Sequence, residues 1–216
     1  IIPGGFGAVG IEGKINAIRF ARENNVPFLG LCYGLQLAVV EFARSVCNMK
    51  DAHTTEIEPK TKFPVIDIIP AQKQIMKESM YGGSMRLGAY AAAVESSKVL
   101  DLYKSSGRLK KDMEKIKMLS NDKNQSFRIG LTRGRNLILE RHRHRYEVNP
   151  KFVKAIEKNG LFFSGYHVRN DKTLLMEFIE LPKHRFFVAT QAHPEFKSRL
   201  GDPSPLFYGF IRACAE

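Results

Sequence analysis

Apolar residues recur at helical spacing between positions 11 and 23, where Ile11, Ile15, Ile18 and Phe20 or Ala21 share a face and Asn24-Asn25 follows as a stop. The short apolar run from Val26 to Leu31 then reads as a buried parallel strand. From Leu35 to Val46 apolar residues occur nearly all the way round, which predicts a helix packed on several sides. Val65 to Ile69 and Met85 to Val94 read as strands separated by a turn at Gly82-Gly83. Asn149-Pro150 is a helix start, an N-cap followed by proline at the first helical position, and Gly160 is its stop. Leu161 to Tyr166 and Leu174 to Leu181 flank Arg169-Asn170-Asp171-Lys172 as an antiparallel hairpin. Phe186 to Thr190 is the last strand, and Leu206 to Ala213 closes the chain as a short helix. This order predicts an α/β domain: a central, mostly parallel sheet flanked by helices on both faces, with a small antiparallel hairpin.

One stretch departs from that rhythm. Residues 103–136 turn to Lys, Arg, Ser, Asn and Asp, with Leu109, Met113, Ile116 and Leu119 at helical intervals. The pattern predicts a charged, solvated insertion carrying one amphipathic helix.

Composition narrows the class. With 216 residues, 44% of them hydrophobic, the chain can bury the core of one sizeable domain. It has neither an apolar run of about 18 residues nor a basic-apolar leader, so no membrane span and no signal peptide are expected. Cys32, Cys47 and Cys214 form an odd set without zinc-like spacing, which points to a reducing compartment, the cytoplasm. A net charge of +12 raises nucleic acid as a partner. The excess is spread along the chain without aromatic-basic interleaving, so no nucleic-acid partner is expected. Ile1-Ile2-Pro3-Gly4-Gly5-Phe6-Gly7 reads as a strand end running into a glycine turn, an opening in mid-motif that suggests a piece of a longer protein.

Candidate chemistry centres on Gly30-Leu31-Cys32-Tyr33-Gly34, between a predicted strand and a predicted helix. In a nucleophile elbow, small residues two positions either side of the nucleophile admit a sharp turn, and the following helix aims its N-terminus at the side chain. On that reading Cys32 is a thiolate near neutral pH; on the alternative it is a small buried hydrophobe. A cysteine nucleophile needs a base and the base needs an anchor, which His193 and Glu195 supply, on one side of an extended segment that Pro194 keeps from becoming helical. The amide of Tyr33 and one from the glycine turn, at Gly5, are the candidates for an oxyanion hole. No Gly-Lys-Ser or Gly-Lys-Thr follows the turn, which excludes a P-loop. His142 and His144, between Arg143 and Arg145, invite a metal site or an RNA patch, but no third ligand is in evidence and no metal is expected.

Pro-Gly-Gly-Phe-Gly at 3–7, Gly-Leu-Cys-Tyr-Gly-Leu-Gln at 30–36 and His-Pro-Glu-Phe at 193–196 resemble the class I glutamine amidotransferases, which have a Cys-His-Glu triad. Phe42-Ala43-Arg44 leading to Thr55-Glu56, the segment from Gly82 to Gly88, and the run from Glu140 to Asn149 look like the CTP synthase branch of that family. The resemblance covers nearly everything except 103–136. It implies Cys32 as nucleophile with His193 and Glu195, an oxyanion hole at Gly5 and Tyr33, and L-glutamine held by Gly5, Tyr33, Gly34, Leu35, Gln36, Glu56 and Arg145. An acidic and an arginine side chain are the complement of free glutamine's ammonium and carboxylate. The resemblance further implies no cofactor in this domain. ATP, UTP, Mg and GTP activation would belong with a synthetase domain of the same polypeptide, through which a homo-oligomer, a tetramer, would form. Val9 stands where the family usually has an arginine, in a loop associated with GTP activation; Tyr33 replaces an aliphatic and Ala192 an aromatic. The alternatives are a γ-glutamyl hydrolase-like cysteine hydrolase and a basic, non-catalytic nucleic-acid-binding or regulatory module.

Overall fold

The helical and strand periods fold in the order in which they stand in the chain, in a computed structural model that describes residues 1–68 and 85–216. Ile69 and the turn at Gly82-Gly83 lie outside the described residues. The first half comprises α1 (Ile11–Glu23), β1 (Phe28–Leu31), α2 (Tyr33–Ser45), β2 (Ala52–Thr54), β3 (Phe63–Asp67) and β4 (Arg86–Val94). Then come α3 (Lys98–Ser105), α4 (Arg108–Ser120), β5 (Leu137–His144), β6 (Glu147–Val148), α5 (Pro150–Lys158), β7 (Phe162–Val168), β8 (Leu174–Glu180), β9 (Phe187–Thr190) and α6 (Pro205–Ala215). The Asn149 side chain accepts from the amide of Lys151, as an N-cap ahead of Pro150 should.

Six strands form the main sheet in the order β1-β9-β8-β7-β4-β5, and β2-β3-β6 form a small second sheet. The main sheet is mixed rather than mostly parallel. Strands β1 and β9 pair in parallel, with a parallel bridge from Ile2 to Gly30, whereas the β9–β8, β8–β7, β7–β4 and β4–β5 pairs are antiparallel. Connection length explains two of these pairs, β7–β8 and β8–β9: the links at 169–173 and 181–186 are too short for a crossover helix, so the chain doubles back beside itself.

Side chains alternate between two cores. Phe28, Phe187 and Ala189 face α1, α2 and α5, while Leu29, Leu31 and Val188 face α3, α4 and α6. Helices therefore cover both faces. Among the described residues no helix is long and apolar enough to cross a membrane.

The charged stretch 103–136 is more firmly docked than a solvated insertion. It begins inside α3, where Tyr103 is fully buried and donates to Glu140 Oε1 at 2.8 Å. On α4, Leu109 and Ile116 are buried as the period requires, but so is Asp112. Its carboxylate takes Lys197 Nζ at 3.0 and 3.1 Å and the amide of Leu139 at 3.1 Å. A helix with a polar outer face is thus pinned through one buried carboxylate, to β5 by the Leu139 amide and to the segment after His193 by the Lys197 ion pair. Asp112→Ala is expected to cost about 2–3 kcal/mol, less than the ~3–5 of a fully orphaned partner, because Lys197 keeps Glu140 at 3.2 Å. Urea unfolding checks this, and an unchanged midpoint would contradict the pinning.

Candidate active site

The elbow has the predicted geometry. Cys32 joins β1 to α2 with φ 50° and ψ −99°, a conformation uncommon outside glycine. Its amide donates to Thr190 O at 2.7 Å, and its carbonyl accepts from Leu35 N and Gln36 N at 3.1 and 3.2 Å. Both flanking glycines are sterically required. A methyl group on Gly30 would lie 2.8 Å from the Gly34 carbonyl carbon and 2.9 Å from Ala189 Cβ, and one on Gly34 would lie 2.2 Å from Ile2 O.

The candidate base, His193, arrives from the far end of the chain. His193 N donates to Arg141 O at 2.7 Å, and His193 Nδ1 lies 2.6 Å from Glu195 Oε1. The segment is not extended: Pro194–Phe196 is a single 3-10 turn. Proline occupies its first position, where a missing N–H costs nothing, and the carboxylate reaches the imidazole from within the turn. The Phe196 ring stacks on the imidazole at 5.1 Å. Because the carboxylate accepts, Nδ1 carries a proton, and in the neutral imidazole Nε2 then presents a lone pair. Nε2 is buried and has no hydrogen-bond partner among the described residues. Gly4 sits between the two groups, since a methyl there would lie 2.7 Å from His193 Cε1 and 3.6 Å from Cys32 Cβ.

Gly5, Cys32, Gln36, Glu56, Arg145 and His193 wall one cavity of about 490 Å3. The small sheet delivers the two charged members: Glu56 follows β2, and Arg145 lies between β5 and β6. Gly34 and Leu35 are not brought to the wall. Leu35 is fully buried in the core, Gly34 packs on Ile2, and the amides of Leu35 and Gln36 are used within the first turn of α2. Tyr33 turns its ring away from the cavity, buried, with its hydroxyl donating to Gly7 O at 2.7 Å. Its amide faces the Cys32 sulfur.

The expected thiolate is not what this environment favours. Burial pushes the Cys32 thiol up to about 12, the charge of Glu147 adds to the rise, and the Tyr33 amide pulls weakly the other way. Behind the cavity stands a buried polar layer that sequence reasoning missed. Arg86 Nη2 meets Glu177 Oε1 at 2.5 Å, His142 Nε2 lies 3.3 Å from Glu177 Oε2, and His144 Nε2 lies 2.7 Å from Glu147 Oε1. His142 and His144 do share a strand face, as their spacing predicts, and each is engaged by a carboxylate. Burial, reinforced by Glu147 and opposed by Arg86, lifts Glu177 to about 7. Gln191 was also missed: its Nε2 lies 3.6 Å from Cys32 Sγ, and its Oε1 accepts from Gln36 Nε2 at 3.2 Å. The signal was available in the register, because Leu31 pairs with Thr190 and the next residues of both strands emerge side by side.

The family profile described as glutamine amidotransferase class-I matches residues 1–213. The chain belongs to the class I glutamine amidotransferase family. The chain is 48% identical over 217 residues to the CTP synthase of Pyrococcus furiosus, a match that takes in the whole chain. It is 47% identical over 214 residues to that of Methanocaldococcus jannaschii, covering 99% of the chain. The chain spans about a third of these relatives, 34% and 33% of their lengths. Among solved structures it is similar to the Trypanosoma brucei CTPS glutaminase domain with bound acivicin, at 34% identity and a TM-score of 0.75, covering 99% of this chain and 69% of that one. The chain thus corresponds to the glutaminase domain of CTP synthases, and neither the γ-glutamyl hydrolase nor the non-catalytic reading is favoured.

The raised pKa of the Cys32 thiol gives a direct test. A thiol lifted from about 9 to about 12 is almost wholly protonated at neutral pH, and its thiolate fraction grows tenfold per pH unit up to the pKa. Alkylation of Cys32 by iodoacetamide, followed by peptide mapping to separate it from Cys47 and Cys214, should still be accelerating above pH 9. A plateau reached below pH 8 would mean a thiolate at rest.

Proposed function

We propose that this domain hydrolyses L-glutamine through a Cys32 thioester. The ammonia released serves a synthetase domain of the same polypeptide, where ATP-dependent amination with Mg converts UTP to CTP. One observation carries the reading: Cys32, His193 and the opposite charges of Glu56 and Arg145 all line a single cavity, with Glu195 bonded to the His193 imidazole. ATP, UTP, Mg and GTP activation belong with the synthetase domain, as does assembly into a homo-oligomer, and the setting is the cytoplasm.

The chemistry follows from the protonation states. Glu195 holds the imidazole with its proton on Nδ1, so Nε2 takes the thiol proton as Cys32 Sγ attacks the side-chain carboxamide carbon. The carbonyl oxygen becomes an oxyanion facing the amides of Tyr33 and Gly5. The imidazolium returns the proton to nitrogen, the C–N bond breaks, and ammonia leaves a thioester on Cys32. Water, deprotonated by the same Nε2, then attacks the thioester, and glutamate departs as the thiol is restored. The high thiol pKa fits this sequence. The proton stays on sulfur until a carboxamide carbon is present to receive the electron pair. Gln191 Nε2, beside the sulfur, orients it before attack.

Cys32→Ala should abolish ammonia release from glutamine, and covalent labelling by acivicin, the ligand of the trypanosomal relative, should map to Cys32 and be suppressed by free glutamine. Release that survives the substitution, or labelling at Cys47, would overturn the assignment. Glu56→Ala should raise KM for glutamine by about tenfold or more and lower kcat by less, since it removes an ion pair made already in the ground state. A fall in kcat at constant KM would remove Glu56 from ammonium recognition.

A further inference from the structure

The loop that carries Gly5 has little of its own to hold it in place. None of residues 3–10 is buried, and the side chains of Phe6 and Val9 are 87% and 89% exposed. A segment without buried apolar contacts stays ordered only through its hydrogen bonds. Gly7 makes two of these, and both are to side chains from elsewhere in the fold. Its carbonyl accepts from Tyr33 Oη at 2.7 Å and its amide donates to Glu56 Oε1 at 3.0 Å. Gly7 has φ +76°, so the peptide orientation that permits both bonds suits glycine. The loop also lies against the Tyr33 ring, because a methyl on Gly5 would be 3.5 Å from Tyr33 Cδ1. Lys14 closes the arrangement, donating to Val9 O at 3.1 Å while its ammonium sits 5.6 Å from the centre of the Tyr33 ring.

We propose that Tyr33 is a positioning residue that straps the Gly4–Gly7 loop to the nucleophile elbow, so that the Gly5 amide is held beside Cys32 before glutamine arrives. Tyr33 directly follows Cys32 in the first turn of α2, and the distance from nucleophile to loop is therefore set by one rigid side chain. An aliphatic residue fills the same space but has no donor for the Gly7 carbonyl. Burial, with the nearby charge of Glu56, pushes the phenol up to about 12 and keeps the donor proton in place through the physiological range. The second bond ties the same loop to Glu56, so the proposed ammonium anchor and the proposed oxyanion loop share one glycine. The catalytic part of this inference rests on the oxyanion reading of Gly5; the strap itself does not.

Tyr33→Phe in the full 216-residue chain removes the hydroxyl and leaves the ring. Amide exchange at Gly7, followed by NMR, should accelerate about 5- to 10-fold, the scale of one lost hydrogen bond. Acivicin labelling of Cys32 and kcat for glutamine should fall by a similar factor, with KM held within about twofold. A role confined to stability would instead lower the melting temperature and leave labelling of the folded protein as fast as before. Unchanged Gly7 exchange would overturn the strap, and faster exchange with unchanged labelling and kcat would overturn its catalytic role. Failure of the wild-type chain to label at Cys32 would count against the nucleophile rather than the strap, and exchange at Gly7 would then decide the strap on its own.

Discussion

The site depends on a close approach of backbones around Cys32. The carbonyl of Ile2, the peptide of Gly34 and the end of β1 come so near that no side chain fits at Gly30 or Gly34, and the residue between them is forced to φ 50°. That conformation is held from both sides, by the Thr190 carbonyl on the Cys32 amide and by two helix amides on the Cys32 carbonyl. Strain of this kind persists only where the surroundings over-determine it, and here they are the parallel pair β1–β9 and the Ile2 bridge. The same contacts fix where everything else arrives. The Ile2 bridge sets the start of the Gly4–Gly7 loop, and the end of β9 sets Gln191 and the His193 turn.

The sulfur so presented is buried, and burial decides its chemistry more strongly than the helix N-terminus does. A helix dipole and one amide favour a thiolate, but removal from water and the charge of Glu147 disfavour it more, and the thiol rests in its neutral form. The polar layer behind the cavity limits how far this goes. Arg86 stands between Glu177 and Glu147, so Glu147, whose charge acts on the Cys32 sulfur, is partly neutralised by a buried guanidinium. Removing water also strengthens every dipole aimed at the cavity, which favours the oxyanion once it forms. A resting thiol that is hard to ionise and a stronger pull of the proposed oxyanion-hole amides both follow from the same low-dielectric setting.

Much of this was legible in the residues. The elbow glycines, the capped helix at Asn149-Pro150 and the β7–β8 hairpin follow from local sterics and turn chemistry, which act over a few positions and leave a mark in any sequence. The mixed sheet was misread because an apolar run says that a strand is buried and says nothing of its neighbours' direction; loop lengths hold that information. The thiolate was misjudged because depth of burial is a property of the assembled fold, not of five residues. Asp112 was unreadable as a core residue since its partner, Lys197, lies 85 positions away. Gln191 and Tyr33 are intermediate cases. Each adjoins a recognised motif, yet the direction of its side chain depends on strand register or on a loop that sequence alone leaves unplaced.

The site is therefore an assembly of loops that position one another. Glu56 is presented by the small sheet, where Thr55 N donates to Ile66 O and Thr54 Oγ1 accepts from the Glu56 amide. The same carboxylate then holds Gly7, and Gly7 is held in turn by the side chain next to the nucleophile. On the opposite side, the turn that follows His193 leads directly to Lys197, which is anchored by Asp112 of α4. A helix that looks like decoration on the charged surface thus secures the segment that carries the proposed base. Regular elements supply the rigid ends, and the hydrogen bonds between loops bring the proposed nucleophile, base and substrate-binding charges to one cavity.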